Sequence, residues 1–217
     1  VGDLSNGVQM DEDRSIYFTT RKTRLFDGRK FLEGKAGIFG AAAGKAGSPF
    51  TGTFAKGSFD RVKVLRENAA IKLDKKPSRP PEVAATHADA HRGAWIEGAD
   101  WMYAGASPIV SGGCSCYQMR SHLDWYKRSY VPEAYRHSIG ILDTNGNLIM
   151  HLGKYGTFDD APGGPKGAKP GGTDIGMMLP RYVSGTDDYL CYGDMGEKIV
   201  VLKLDYHAGE TAAMEVQ

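Results

Sequence analysis

Apolar residues along this chain come in short runs broken by glycine, proline or an acidic cluster, and no stretch keeps the 3.6-residue spacing of a long amphipathic helix. The clearest alternation spans 138–153. Ile139 and Ile141 lead into Asp143-Thr144-Asn145-Gly146-Asn147, after which Leu148, Met150 and Leu152 resume the two-residue period. Such a pattern predicts an antiparallel hairpin, with Asn145-Gly146 supplying the two positive-φ positions of a type I′ turn.

A second pattern recurs, in which an acidic polar turn precedes a short aromatic and aliphatic strand. Asp13-Arg14-Ser15-Ile16-Tyr17-Phe18-Thr19-Thr20 aligns without gaps on Asp187-Asp188-Tyr189-Leu190-Cys191-Tyr192-Gly193-Asp194. The stretch 126–133 fits as a third copy when Tyr17 is matched to Tyr130, and each copy follows a short apolar stretch. Self-similarity of this kind predicts a repeat architecture, and propeller blades are units of about 40 to 50 residues with four strands each.

The residues carry a family likeness. Gly7-Val8-Gln9-Met10-Asp11 followed by Ser15-Ile16-Tyr17-Phe18 resembles the inner half of an NHL blade, and the run from His137 through Asp143-Thr144-Asn145-Gly146-Asn147 to Ile149 resembles its outer half. Asp194-Met195-Gly196-Glu197-Lys198-Ile199-Val200-Val201-Leu202 is similar to the same outer stretch, with Glu for Asn and Lys for Arg. The resemblance covers about half the chain and implies an all-β fold, a β-propeller of NHL-like blades, far more than it implies an activity.

Blade-like units are expected at about 7–73, 120–156 and 176–216, the first interrupted by a Gly/Ala/Lys-rich stretch at 34–52, and exposed loops at about 74–92 and 157–175. Three blades do not close a ring. The propeller is therefore expected to be incomplete within this chain, half of a six-bladed one, with the remaining blades supplied by the same or another chain.

Composition narrows the function classes. Lys plus Arg total 27 against 26 for Asp plus Glu, a formal net charge of +1, so no broad field favours nucleic acid or anionic lipid. No window holds the ~18 consecutive apolar residues of a membrane-spanning helix. The chain starts at Val1 rather than Met, as expected of a processed product or a piece of a longer polypeptide, and an extracytoplasmic location is the expectation. Three cysteines leave at least one thiol outside any intrachain disulfide.

Candidate chemistry gathers between 86 and 136. His87-Ala88-Asp89-Ala90-His91 on an extended chain aims three ligands to one side, and Cys114-Ser115-Cys116 does the same with two thiols, so His87, His91, Cys114 and Cys116 are candidate ligands for a divalent or soft metal such as zinc, copper or calcium. The competing readings are a solvated loop for the histidines and packed or disulfide-bonded thiols for the cysteines. Arg120, Asp124, Tyr126 and Arg128 form a charge-rich entry into the most compact unit and are candidate binding residues, against the plainer reading of inter-blade ion pairs. Trp95, Trp101, Tyr103, Tyr117, Trp125, Tyr126 and Tyr130 concentrate aromatic weight in the same region, either as inter-sheet packing or as a surface for sugar rings or a protein partner. No P-loop, nucleophile elbow, H-E-x-x-H or complete dinucleotide fingerprint occurs.

Two functions follow. The first is a binding and assembly module contacting protein or carbohydrate within a larger complex. The second, implied by families of similar fold, is a metal-dependent lactonase- or lyase-like enzyme using His87, His91, Asp124 or the cysteines.

Overall fold

The computed structural model describes residues 7–20, 23–32, 51–66, 83–84, 93–106, 119–156, 175–194 and 198–205. Eighteen strands and one 3-10 turn account for the regular structure among them. No helix among the described residues is long and apolar enough to cross a membrane.

The first sheet is antiparallel, in the order β1 (Val8–Met10), β2 (Ser15–Thr20), β5 (Gly52–Ser58), β9 (Ala99–Ala106). Between its members the chain makes excursions that pair with one another. β3 (Thr23–Phe26), β4 (Arg29–Lys30), β6 (Lys63–Arg66), β7 (Val83–Ala84) and β8 (Gly93–Glu97) form an inserted sheet in the order β4-β3-β7-β8-β6. The first sheet thus takes its fourth strand from beyond residue 73, and β7 lies within 74–92.

The second sheet is contiguous in sequence: β10 (His122–Leu123), β11 (Ser129–Glu133), β12 (Ser138–Leu142) and β13 (Leu148–Leu152), with a 3-10 turn at Ala134–Arg136. β14 (Lys154–Tyr155) and β15 (Gly176–Met177) make a small parallel pair. The third sheet holds β16 (Pro180–Gly185), β17 (Tyr189–Asp194) and β18 (Lys198–Lys203). The outer strand expected at 211–216 lies outside the described residues.

Burial along the strands records how the sheets stack. Every residue of β11 is buried, which requires cover on both faces. On one side Val131 and Leu142 meet Tyr17, Phe54 and Ala106 of the first sheet; on the other Tyr130 and Ile139 meet Val183, Leu190 and Tyr192 of the third. The far face of the first sheet is covered as well, by Ile96 of the inserted sheet and Val62 against Phe18 and Ala55. The fully buried Val, Leu, Ile and Phe side chains among them each contribute ~1.5–3 kcal/mol on leaving water. By contrast burial alternates along β17, buried against intermediate or exposed, and along β18, intermediate against exposed, so the third sheet has one better covered face and one more open face.

The hairpin over 138–153 is present, pairing Ile139 with Leu152 and Ile141 with Met150. Its turn is not type I′. Gly146 alone has positive φ, at +79°, and Gly146 N–H donates to Asp143 O at 3.1 Å while Asp143 N–H donates to Asn147 O at 2.9 Å. The Asp143 carboxylate decides this geometry, its Oδ1 accepting from the amides of both Asn145 and Asn147 at 2.8 Å. A side chain that satisfies two turn amides favours a three-residue loop closed by a glycine in the left-handed region over the two-residue alternative.

The same device opens the other two hairpins of this type. Asp11 Oδ1 accepts from the amides of Asp13 and Ser15, with Arg14 at φ 62°, and Asp124 Oδ1 accepts from Arg128 N–H, with Lys127 at φ 60°. In the third sheet Thr186 Oγ1 takes the role in a loop one residue shorter, accepting from Asp188 and Tyr189. Pairing immediately beyond the turns, Met10 with Ile16, Leu123 with Ser129 and Gly185 with Leu190, places Tyr17, Tyr130 and Cys191 at equivalent positions. Tyr17 and Tyr130 each face the next sheet in the stack.

Candidate functional site

Because three successive sheets begin with the same strand–turn–strand unit, their first turns meet at one end of the stack. They enclose a concavity of about 390 Å³ lined by Met10, Asp11 and Glu12 of the first sheet, His122, Leu123, Asp124, Trp125 and Lys127 of the second, and Gly185, Thr186 and Asp187 of the third. Four carboxylates and one ammonium line it.

Two of those carboxylates are committed to the fold. Asp11 accepts from turn amides through Oδ1 and from the Tyr17 hydroxyl through Oδ2 at 3.1 Å. Asp124 likewise holds Arg128 N–H with Oδ1, while its Oδ2 takes the Arg128 guanidinium at 2.6 Å and the Tyr130 hydroxyl at 3.4 Å. Asp187 and Glu12 remain exposed on the rim. Lys127 reaches from the second sheet to Glu12, at 3.0 Å, and to Asp13, tying two turns together. These bonds raise the Lys127 ammonium above its usual range, the Asp13 hydrogen bond foremost, and lower the Asp13 carboxyl.

His122 forms part of the wall. Burial pushes its imidazole below the ordinary value, with the Asp124 charge pulling the other way, which favours the neutral ring. The ring lies against Tyr130, centroids 5.7 Å apart, and on its other side against Gly185, where a Cβ would stand 2.9 Å from Nε2. Trp125 is 81% exposed on the turn, beside Tyr126 at 64% and Met10 at 63%.

Of the expected binding residues, Asp124, Tyr126 and Arg128 come together. Arg128 pairs with Asp124 and lies over the Tyr126 ring at 5.2 Å, so the trio braces its own turn. The ion pair forms within one sheet rather than between sheets. Arg120 is placed differently. Its amide donates to Arg181 O and its carbonyl accepts from Val183 N–H, each at 3.0 Å, linking the second sheet to the third by main chain, and it is not among the lining residues. His87, His91, Cys114 and Cys116 lie outside the described residues. Among the described residues no group of three His, Cys, Asp or Glu side chains is arranged to hold a metal ion.

Glu12, Lys127 and Asp187 belong to the site without having been singled out in the sequence. Their signal was the repeat alignment itself, which stacks the 11–15, 124–128 and 186–189 turns in register.

A second titratable cluster sits between the first and second sheets. Glu133, fully buried, accepts from the hydroxyls of Tyr103 and, at 3.1 Å, Ser138, and has His151 Nδ1 2.8 Å away. Burial raises its carboxyl above the usual range, and the Tyr103, His151 and Ser138 contacts draw it back.

No protein-family model matches the chain, and a search of curated proteins found no match either.

Proposed function

We propose that this chain is a binding module built of NHL-like, propeller-type blades, in which the turn-end concavity takes a segment of a protein or carbohydrate partner. The convergence of three homologous turns on one concavity whose wall carries the solvent-exposed indole of Trp125 is the observation that carries the reading. Ligand sites favour concave surfaces of ~300–1,000 Å³, a range that includes this one, and its charged lining suits a polar partner. An aromatic ring held open to solvent on a braced turn has the chemistry for stacking on a sugar face or filling a partner's pocket.

Support for the propeller-type arrangement comes from the equivalent placing of Tyr17, Tyr130 and Cys191 and from sheets that follow one another face to face in chain order. The carboxylates nearest the concavity floor, Asp11 and Asp124, spend their oxygens on turn amides, tyrosine hydroxyls and Arg128, which suits a rigid recognition surface better than proton transfer.

The test is to probe glycan and peptide arrays with the purified chain and with Trp125→Ala. Hits are expected whose affinity drops ~30-fold in the variant, the size of a hot-spot aromatic. Arrays without hits, or hits that Trp125→Ala leaves unchanged, would reject the concavity as the binding surface.

A further inference from the structure

The third sheet presents Tyr182, Tyr189, Ile199 and Val201 to solvent at 41, 48, 79 and 62% exposure, with Cys191 at the middle of the same face. Strand pairing arranges them in rows: Tyr182 with Gly193 and Ile199, Ser184 with Cys191 and Val201, Tyr189 with Lys203. By register this is the face that the first and second sheets, through Tyr17 and Tyr130, each turn toward the next sheet in the stack. At the opposite end of the stack the first sheet's far face is occupied by the inserted sheet. Among the described residues the third sheet's outer face is therefore left open, and it is apolar.

We propose that this open face is a homodimer interface, in which the third sheets of two copies of the chain pack face to face about a two-fold axis. Packing one such face on its own copy gives a closed, isologous pair, in which the same patch is used by both partners. The charges at the rim select the direction of the axis. Arg181 lies over Tyr182 at one end of the face, its guanidinium carbon 5.0 Å from the ring centroid, while Asp187 and Asp188 sit in the turn beyond Tyr189 at the other end, where they outnumber Lys203. An axis running across the strands reverses one sheet relative to the other and brings Arg181 of each copy to the acidic end of its mate. An axis running along the strands would keep both Arg181 side chains at the same end of the interface, over the mate's β18 and away from the acidic turns. Complementary ends therefore favour the antiparallel arrangement.

A patch of four large side chains is small beside the ~800 Å² per partner of a standard interface, so the pair should be weak, dissociating at roughly micromolar to millimolar concentration. Sedimentation velocity of the purified chain from about 1 μM to about 1 mM spans that range. A concentration-dependent dimer is expected. Ile199→Lys, or Val201→Lys should the first variant fold poorly by circular dichroism, is expected to raise its dissociation constant at least ~tenfold. Arg181→Asp is expected to weaken it similarly, and Arg181→Asp combined with Asp188→Arg to restore it to within ~threefold. Asp188 is outside the lining of the concavity, so partner binding by Trp125 is scored separately. A chain monomeric throughout, open polymers, or a dimer indifferent to Ile199→Lys and Val201→Lys overturns the interface; a dimer lost with the lysine but not rescued by the charge swap overturns the two-fold direction.

Discussion

Removing the same hydroxyl from two buried tyrosines should move stability in opposite directions. Tyr17 is fully buried and donates to Asp11 Oδ2 at 3.1 Å, and the Asp11 carboxylate it engages is itself 8% exposed and braces the first turn. Tyr17→Phe leaves a charged acceptor short of a donor in a site water reaches poorly. Hydrogen bonds to charged groups are worth ~1.5–3 kcal/mol, and that range is the expected loss. Tyr192 is equally buried, but its hydroxyl has no hydrogen-bond partner among the described residues, and burial, with the Asp194 charge second, drives its ionisation well above the usual range. Tyr192→Phe removes an unpaired polar atom whose desolvation costs ~1–3 kcal/mol, so the variant should be as stable as the parent or more stable by about 1 kcal/mol. Urea titration at constant slope measures both. At ~2–4 °C per kcal/mol for a chain of this size, the melting temperature of Tyr17→Phe should fall by ~3–12 °C while that of Tyr192→Phe holds or rises. Equal losses in the two variants would refute the assignment of partners.

Other expectations follow from the same contacts. Arg14 sits at φ 62°, and among the described residues its side chain makes an exposed 3.6 Å ion pair to Asp60 and no other, so Arg14→Gly should stabilise by about 0.5–1 kcal/mol, the relief of left-handed strain less the added freedom of the unfolded chain, read by urea titration. Gly146→Ala should do the reverse and shift the Trp101 fluorescence, because a Cβ at φ +79° would stand 2.5 Å from the indole that donates to Thr144 O. The Glu133 carboxyl, raised in the fold above its ordinary 4.5, takes up a proton before the unfolded chain does, so its ionisation costs stability above the folded value and that cost is recovered as pH falls toward 4.5. Parent and Glu133→Gln compared by urea titration at neutral and mildly acid pH should therefore diverge in favour of the parent on acidification; a constant difference would contradict the burial argument. Elemental analysis of the purified chain should find zinc, copper and calcium below one equivalent; a full equivalent lost in His91→Ala or Cys116→Ser would favour the metal-dependent enzyme instead.

What the sequence disclosed was local. The Asp143–Asn147 turn and the recurring acid-led turn are written in consecutive residues, and the gap-free match of 13–20 to 187–194 survives as strand register. Turn type was misread because the Asp143 side chain, not the Asn-Gly pair, sets the loop length. The inserted sheet was invisible for a different reason: β6 and β8 pair through backbone groups that any sequence carries, and nothing in Lys63–Arg66 reveals that it leaves the first sheet. For the site, Asp124, Tyr126 and Arg128 stood out by charge and aromaticity, yet their mutual contacts fold the turn. Glu12 and Asp187 acquire meaning only once three distant turns are brought to one end of the stack.

Chain order within the sheets also bears on how the molecule assembles. The second sheet closes from strands that are neighbours in sequence, so it can form early at little loop-closure cost, whereas β9 must find β5 across the excursion that carries β6, β7 and β8. Folding should accordingly begin in the second and third sheets, each built of consecutive strands, with the first sheet completed late, and amide exchange should protect Ile139 and Ile141 before Thr53 and Ala104.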